Sequence, residues 1–172
     1  MLEDKPLVVG DAIVELGSVY RVYKVGKKVT FNNENLEHIF YKPVYDTPEN
    51  RTLDCSIPVK NIDQARMRRP ISRQKINEIM VFLSTHQTVR IEVDLNQSKE
   101  DLMQNDPHVS AQVLKRIWME LQRDDVNATT SRQSLFETAL TRLSQEVALK
   151  FEITLPQAKK KLERALKRAT EA

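Results

Sequence analysis

Apolar and polar residues alternate along several short segments in the first part of the chain. In residues 53–60 the odd-numbered positions are apolar or cysteine, and the even-numbered positions are polar or proline. A period of two places one set of side chains on the buried face of a strand and the other set in water. Because Pro58 lacks an amide hydrogen, this strand is expected to lie at a sheet edge or to end there.

Five segments of this kind are predicted as strands: residues 12–16, 19–25, 29–31, 37–45 and 53–59. Glycine, serine and asparagine residues separate them, as is typical of turns between short strands. The sequence Gly26-Lys27-Lys28 is interpreted as the turn between the second and third strands. Five short strands this close together predict a small open β-barrel.

The apolar period changes to 3.6 residues after Pro70, which is typical of helices. Ile76, Ile79, Met80 and Leu83 form the first helical stripe. Helix starts are predicted at five places: Ser72, Ser98 with Asp101, Asp106 before Pro107, Thr130 with Gln133, and Thr154 with Gln157. These signals predict four to five helices, while residues 88–95 have the composition of either a strand or an extended connector.

The strands and helices are segregated along the chain, which indicates an α+β fold or two separate domains. We predict a β-barrel domain over residues 1–70 and an all-helical domain over residues 71–172. The single cysteine, Cys55, excludes an intrachain disulfide and indicates a reducing compartment. Neither a signal peptide nor an apolar run of about 18 residues is found, so a cytoplasmic location is expected.

Residues suited to catalysis are few and scattered. His38, His86 and His108 lack metal-ligand spacing, and no glycine-rich phosphate loop follows the last glycine, Gly26. Cys55 lies on the apolar side of its predicted strand, so a buried thiol is expected, with a cysteine–histidine pair formed by folding as the alternative. The sequence therefore predicts a protein that is not an enzyme and needs no cofactor or metal.

Positive charge is concentrated in residues 60–100 and 150–172, although the net charge of the chain is only +3. The first stretch contains the cluster Arg66, Arg68 and Arg69, which could follow a nucleic-acid backbone. The alternative is that these side chains pair with acidic residues such as Asp63 and Glu78 and brace the domain junction. The second stretch is a cationic helix face that could steer DNA or simply be solvated.

Trp118 stands beside the apolar stripe of its predicted helix. A tryptophan in such a position is more typical of a helical core than of a base-stacking wedge. We therefore interpret Trp118 as a core residue.

Four segments of the chain stand out as a set. The opening strand has the sequence Val9-Gly10-Asp11-Ala12-Ile13-Val14. The β domain ends with Ile57-Pro58-Val59-Lys60-Asn61 and then Arg68-Arg69-Pro70-Ile71-Ser72. The helical domain contains Val113-Leu114-Lys115-Arg116-Ile117-Trp118. In this order, these segments resemble those of the CarD/CdnL family of bacterial RNA-polymerase-binding regulators. The resemblance covers nearly the whole chain, and its β domain also occurs in transcription-repair coupling factor.

The resemblance implies a Tudor- or SH3-like five-stranded barrel that binds the polymerase β subunit. It also implies a helical domain that contacts promoter DNA without sequence specificity and stabilises the open complex, with the protein acting as a monomer. Candidate polymerase contacts are Lys27, Lys28 and Ser56. Candidate DNA contacts are Arg66, Arg68, Arg69, Arg90, Ile91, Lys115 and Arg116.

The sequence departs from the family at three places. Residues 15–18 lack the usual tyrosine-proline and second glycine, and Ser56 stands where many members have a basic residue. Residues 89–92 lack the tryptophan that wedges at the DNA fork in the family, although Ile91 could insert as an apolar wedge. These departures favour an alternative, a paralogue that acts as a protein-interaction adaptor without DNA-fork activity.

Overall fold

A computed structural model describes residues 5–31, 34–47, 50–86, 92–123 and 128–171. It shows an α+β protein with a four-stranded antiparallel sheet and five α-helices among these residues. The chain divides into two compact units, the sheet unit Met1–Pro70 and the helical unit Ile71–Ala172.

The four strands of the sheet unit pair in chain order, each antiparallel to the next. The strands are β1 (Ala12–Glu15), β2 (Ser18–Phe31), β3 (Glu34–Pro43) and β4 (Cys55–Pro58). A short 3₁₀ turn, Val59–Asn61, follows β4. Because β4 and β1 do not pair in the described part of the chain, the sheet is open.

The prediction of five strands is wrong, because the second and third predicted strands are one continuous strand, β2. Gly26 is not in a turn. It lies at an irregularity in the pairing with β3, between Val25 and Lys27, and has a φ of 81°. Glycine adopts this left-handed conformation without steric strain, so a bulge here lets the strand continue where the sequence suggested a reversal.

The largest apolar cluster of the sheet unit lies on one face of the sheet, as the period of two predicts, while the paired Val14 and Val19 are buried on the other face. Its buried residues are Leu7, Ile13, Val22, Ile39, Tyr41, Ile62 and Met67. The Tyr41 ring packs edge-on against Tyr20 with 5.2 Å between centroids, and its hydroxyl donates to a Glu15 carboxylate oxygen at 3.2 Å. Burial raises the pKa of Tyr41, and the nearby Glu15 charge raises it further, so this tyrosine stays a hydrogen-bond donor.

Five helices form the helical unit, and most begin where the sequence predicts. They are α1 (Arg73–Ser84), α2 (Leu95–Met103), α3 (Pro107–Leu121), α4 (Thr130–Phe151) and α5 (Leu155–Thr170). The caps at Ser72, at Asp106 before Pro107 and at Thr154 are confirmed, the last as a full capping box with Gln157.

Two predicted helix starts are displaced. The cap of α4 is Thr129 and not Thr130, a shift of a single residue. The start predicted at Ser98 is wrong, because Asp94 caps α2 and accepts hydrogen bonds from the amides of Asn96 and Gln97. An aspartate is as good a cap as a serine, and here the carboxylate reaches two amides at 2.8 and 3.0 Å. Of the residues 88–95 considered as a strand or connector, 88–91 lie outside the described residues.

The helices pack through apolar stripes, and α5 contacts both α1 and α4. The inward stripe of α5 consists of Ala158, Leu162, Ala165, Leu166 and Ala169, whose small alanines allow close helix approach. The buried Glu120 of α3 accepts a hydrogen bond from Arg132 Nε at 2.7 Å and from the Val93 amide at 3.3 Å.

None of the helices in the described part of the chain combines the length and apolar character needed to cross a bilayer.

We expect the substitution Gly26→Ala to destabilise the protein by about 1–2 kcal/mol, because the left-handed φ becomes strained and the new Cβ meets a Glu37 carboxylate oxygen at 3.2 Å. Chemical denaturation measures the change. Lys28→Ala, at an exposed position two residues along β2, is the control and should alter stability by less than about 0.5 kcal/mol. Equal stabilities of the two variants would contradict a bulge at Gly26.

Candidate functional site

The outer edge of β4 is the first candidate site, because its backbone is paired on one side only. Residues Cys55–Pro58 pair with β3, and no strand in the described ranges pairs with the opposite side of β4. The other margin of the sheet differs, since Val14 of β1 and Arg68 exchange two backbone hydrogen bonds of 2.8 and 3.1 Å. An edge with outward amides and carbonyls can accept a further strand.

The sheet face beside β4 carries a row of aligned side chains. Lys24 of β2 is paired with Phe40 of β3, which is paired with Ser56 of β4. Directly paired residues project to the same face of a sheet, so these three side chains are neighbours across three strands. The Lys24 ammonium lies 5.9 Å from the centroid of the Phe40 ring, and Ser56 is exposed at the open edge.

Aromatic and charged groups extend this row along the sheet. The Tyr23 ring lies 6.2 Å from the Phe40 ring, and the Lys42 ammonium lies 4.9 Å from the centroid of Tyr23. Asp54, next to β4, accepts a hydrogen bond from the Tyr23 hydroxyl at 2.5 Å and pairs with Lys42 at 3.6 Å. This hydrogen bond raises the pKa of Tyr23. The sequence alone does not single out Tyr23, Phe40 or Lys42, because their proximity depends on strand register.

The candidate polymerase contacts are only partly brought together. Lys27 is paired with His38 and Lys28 with Glu37, and both lysines are exposed. Lys27 therefore projects to the same face as Phe40 and Ser56, whereas Lys28 projects to the opposite face. Both lysines lie within β2 and not at the predicted turn, because Gly26 forms a bulge.

The arginine cluster of the sheet unit is divided among different environments. Arg66 is exposed and has a left-handed backbone with φ of 52°. Arg68 is half-buried, and its backbone forms the bridge to β1. Arg69 donates to a carboxylate oxygen of Asp11 at 3.1 Å and to the Lys5 carbonyl at 3.1 Å. The partner of Arg69 is therefore neither of the acidic residues suggested by the sequence.

The contact with Arg69 also affects the charge of Asp11. Its burial would raise the pKa of this carboxyl, but hydrogen bonds from the Val8 amide and from Arg69 outweigh that effect and lower it. The lowered pKa keeps Asp11 ionised at neutral pH, and its pair with Arg69 holds the residues before β1 against the end of the unit.

The cations predicted on α3 face inward. Lys115 is only 3% exposed, and its ammonium donates to the carbonyls of Phe82 and Thr85 at 2.7 and 2.6 Å. It thereby satisfies carbonyl groups at the end of α1, and burial lowers its pKa. Arg116 pairs with Asp101 at 2.7 Å. Neither side chain is presented as a freely exposed cation. The candidates Arg90 and Ile91 lie outside the described residues.

Trp118 is half-buried, and its ring lies 5.9 Å from that of Phe136 on α4. Its indole nitrogen is buried and has no hydrogen-bond partner in the described part of the chain. The aromatic contact with α4 agrees with the interpretation of Trp118 as a packing residue.

Among the described residues, no hydrogen bond joins Cys55 to a histidine. Cys55 is partly buried, and burial raises the pKa of its thiol, which leaves it a weak nucleophile. His38 is buried, and neither ring nitrogen has a hydrogen-bond partner within the described residues. Over the same ranges, no group of three histidine, cysteine or acidic residues has a geometry suited to a metal ion.

No protein-family model matches the chain, and no curated protein is significantly similar to it.

We expect Lys115→Ala to lower the free energy of unfolding by about 2 kcal/mol or more, because it removes the ammonium donor of the Phe82 and Thr85 carbonyls together with a buried aliphatic stem. Thermal or chemical denaturation measures the loss. The matched control is Lys160→Ala, at an exposed position of α5, which should change stability by less than about 0.5 kcal/mol. A stable Lys115→Ala variant would contradict the interior role of this lysine.

Proposed function

We propose that this protein is a transcription regulator similar to the CarD/CdnL family, which docks on the RNA polymerase β subunit through the outer edge of β4. The observation that carries the proposal is the asymmetry of the two sheet margins. The Arg68 backbone occupies the edge of β1, whereas no strand of the described chain occupies the edge of β4. Docking then extends the sheet by one strand of the polymerase.

Strand addition suits the composition of this edge. Main-chain hydrogen bonds supply affinity, and neighbouring side chains supply specificity. The apolar residues Leu53 and Val59 flank β4 and are each 43% exposed, so a docked strand would bury them. Ser56, Phe40 and Lys24 form the adjoining face, with Lys27 on the same side of the sheet. Lys28 projects to the other face and would contact a partner only at its margin.

The curvature of the sheet unit supports the proposed likeness to a Tudor-like module. Two irregularities in the pairing of β2 with β3, near Tyr23 and Gly26, are of the kind that bend and twist a strand. A strand bent in this way favours a curled sheet such as a Tudor-like module. We propose that the four strands, with the Arg68 bridge in place of a fifth, form a divergent version of that module.

The contact with promoter DNA is the second part of the proposal. Among the described candidates, exposed Arg66 and half-buried Arg68, which also donates to the Arg69 carbonyl at 3.3 Å, are the side chains proposed for phosphate contacts. Arg90 and Ile91, which lie outside the described residues, are proposed as separate contacts near the DNA fork. Such contacts position a protein on DNA without reading its sequence, and their affinity falls as salt rises.

A second candidate function is an adaptor that binds polymerase without contacting the DNA fork. Arg69 and Arg116 are ion-paired with acidic residues of their own units, and Lys115 is buried. These contacts reduce the charge available for DNA. The lack of tryptophan in residues 89–92 points the same way.

Docking is tested by hydrogen–deuterium exchange of the full-length protein with and without the purified β subunit. We expect slower exchange in a peptide that covers residues 55–59, because those of its amides that point away from β3 become paired, and unchanged exchange in β1. Pro58 has no amide hydrogen and does not report. Ser56→Glu should weaken binding about ten-fold by placing a charge beside the new strand, whereas Lys160→Glu on the helical unit should not. Absence of binding at micromolar concentration, or protection confined to other segments, would refute the docking.

The two candidate functions are separated by the lifetime of promoter open complexes formed with purified polymerase. A regulator that contacts the fork should prolong the lifetime. Arg66→Ala should then reduce the slope of log affinity for DNA against log salt concentration by about one, the value of one lost phosphate contact. The neutral control Gln64→Ala, at an exposed position nearby, should leave the salt dependence unchanged. Polymerase binding with an unchanged lifetime would identify the adaptor.

A further inference from the structure

A groove between α1 and α5 combines an apolar floor with a row of cations. Its volume is about 270 Å³, and it is lined by Met80, Val81, Ser84, Lys161, Arg164, Ala165 and Arg168. No acidic residue is among these lining residues. The groove lies wholly within the helical unit and shares no residue with the edge of β4.

The cations of the groove follow from helical spacing. Lys161, Arg164 and Arg168 stand at i, i+3 and i+7 on α5, so they form one row beside the inward apolar stripe. Packing of that stripe against α1 and α4 fixes the orientation of the row. The three side chains therefore border the same opening instead of being spread around the helix.

The charges in this row are available to a ligand. Neither Arg164 nor Arg168 forms an ion pair with any other residue in the described ranges, whereas the nearby Lys159 pairs with Glu137 at 3.4 Å. The Lys161 ammonium lies 5.2 Å from the centroid of the Phe151 ring, a contact that positions the charge without neutralising it. An acidic partner would complement the row.

The floor of the groove distinguishes an acidic protein segment from a nucleic acid. Val81 is 66% exposed, and Met80 beside it is partly exposed. A phosphate backbone would engage the arginines and leave these apolar side chains against water. An apolar side chain of a peptide would cover them, and methionine adapts readily to the shape of such a partner.

The size of the groove also suits a peptide anchor. Its volume is below the roughly 300–1,000 Å³ typical of sites for small molecules. It is large enough for one or two apolar side chains, the kind of anchor that an amphipathic segment places in a groove. Carboxylates on either side of that anchor would meet the guanidinium groups of Arg164 and Arg168.

We infer that the groove between α1 and α5 is a docking site for an acidic segment of a partner protein, held by a large apolar side chain on Met80 and Val81 and by carboxylates on Lys161, Arg164 and Arg168. This interaction goes beyond polymerase docking at β4. The helical unit then has a protein partner of its own.

Fluorescence anisotropy tests the inference with the full-length protein and a labelled glutamate-rich peptide that contains a central leucine–phenylalanine pair. We expect saturable binding that Arg164→Glu weakens about ten-fold, because a lost contact becomes a repulsive one. The matched control Lys167→Glu makes the same change of charge at an exposed position of α5 outside the groove, and should have little effect. Val81→Ser should weaken binding several-fold through the lost apolar contact.

Two further arms identify the source of binding. Replacing the leucine–phenylalanine pair of the peptide by serines should weaken binding, and a duplex DNA of the same net charge should compete poorly. Amide chemical shifts of the unaltered protein should change at residues 80–84 and 161–168 when the peptide is added, which tests the site without any variant. Each of four results would overturn the inference. The first two are an equal loss of affinity in Arg164→Glu and Lys167→Glu, and a serine peptide that binds as tightly as the original. The other two are full competition by DNA, and chemical-shift changes confined to residues outside the groove.

Discussion

Val14 and Arg68 exchange two backbone hydrogen bonds along the outer edge of β1, and this pairing leaves β4 as the sheet margin that no strand of the described residues covers. Unpaired amides and carbonyls at a strand edge are satisfied only by water or by another chain. The chain after β4 returns to the β1 side through the buried Met67 and ends that path at Arg69, which pairs with Asp11. The edge of β4 is consequently the margin at which docking is proposed.

The cations of the protein have two different physical roles. Lys115 and Arg69 are used inside their units, where the former binds carbonyls at the end of α1 and the latter holds the segment before β1. Desolvation makes an unpaired internal charge costly, so these groups are committed to their partners. The cations on α5 remain at the surface, where they keep their hydration and have little desolvation cost. Their electrostatic field there acts on other molecules.

The two proposed surfaces require different kinds of partner. An open strand edge recognises backbone geometry and tolerates many sequences, whereas the groove between α1 and α5 selects for charge and for an apolar anchor. The two surfaces belong to separate compact units and share no residue. The protein would then link two partners, of which only the first is suggested by the family resemblance.

The sequence alone was sufficient for features whose causes are local. The alternation in residues 53–60 indicated the edge strand β4, and the caps at Ser72, Asp106 and Thr154 depend on side chains within three residues of the amides they bind. The change of apolar period near Pro70 likewise reflects the switch from sheet to helix, and the boundary between the compact units lies there.

Only the tertiary structure decided features that depend on contacts between distant residues. A glycine at position 26 is compatible with either a turn or a bulge, so the sequence does not distinguish them. The pairing of β2 with β3 produces the bulge. Lys115 lies in a basic pair that resembles a DNA contact, yet its partners are carbonyls about thirty residues earlier in the chain, brought close by helix packing. A charge therefore becomes structural or functional according to what folding places beside it, which spacing along the chain does not reveal.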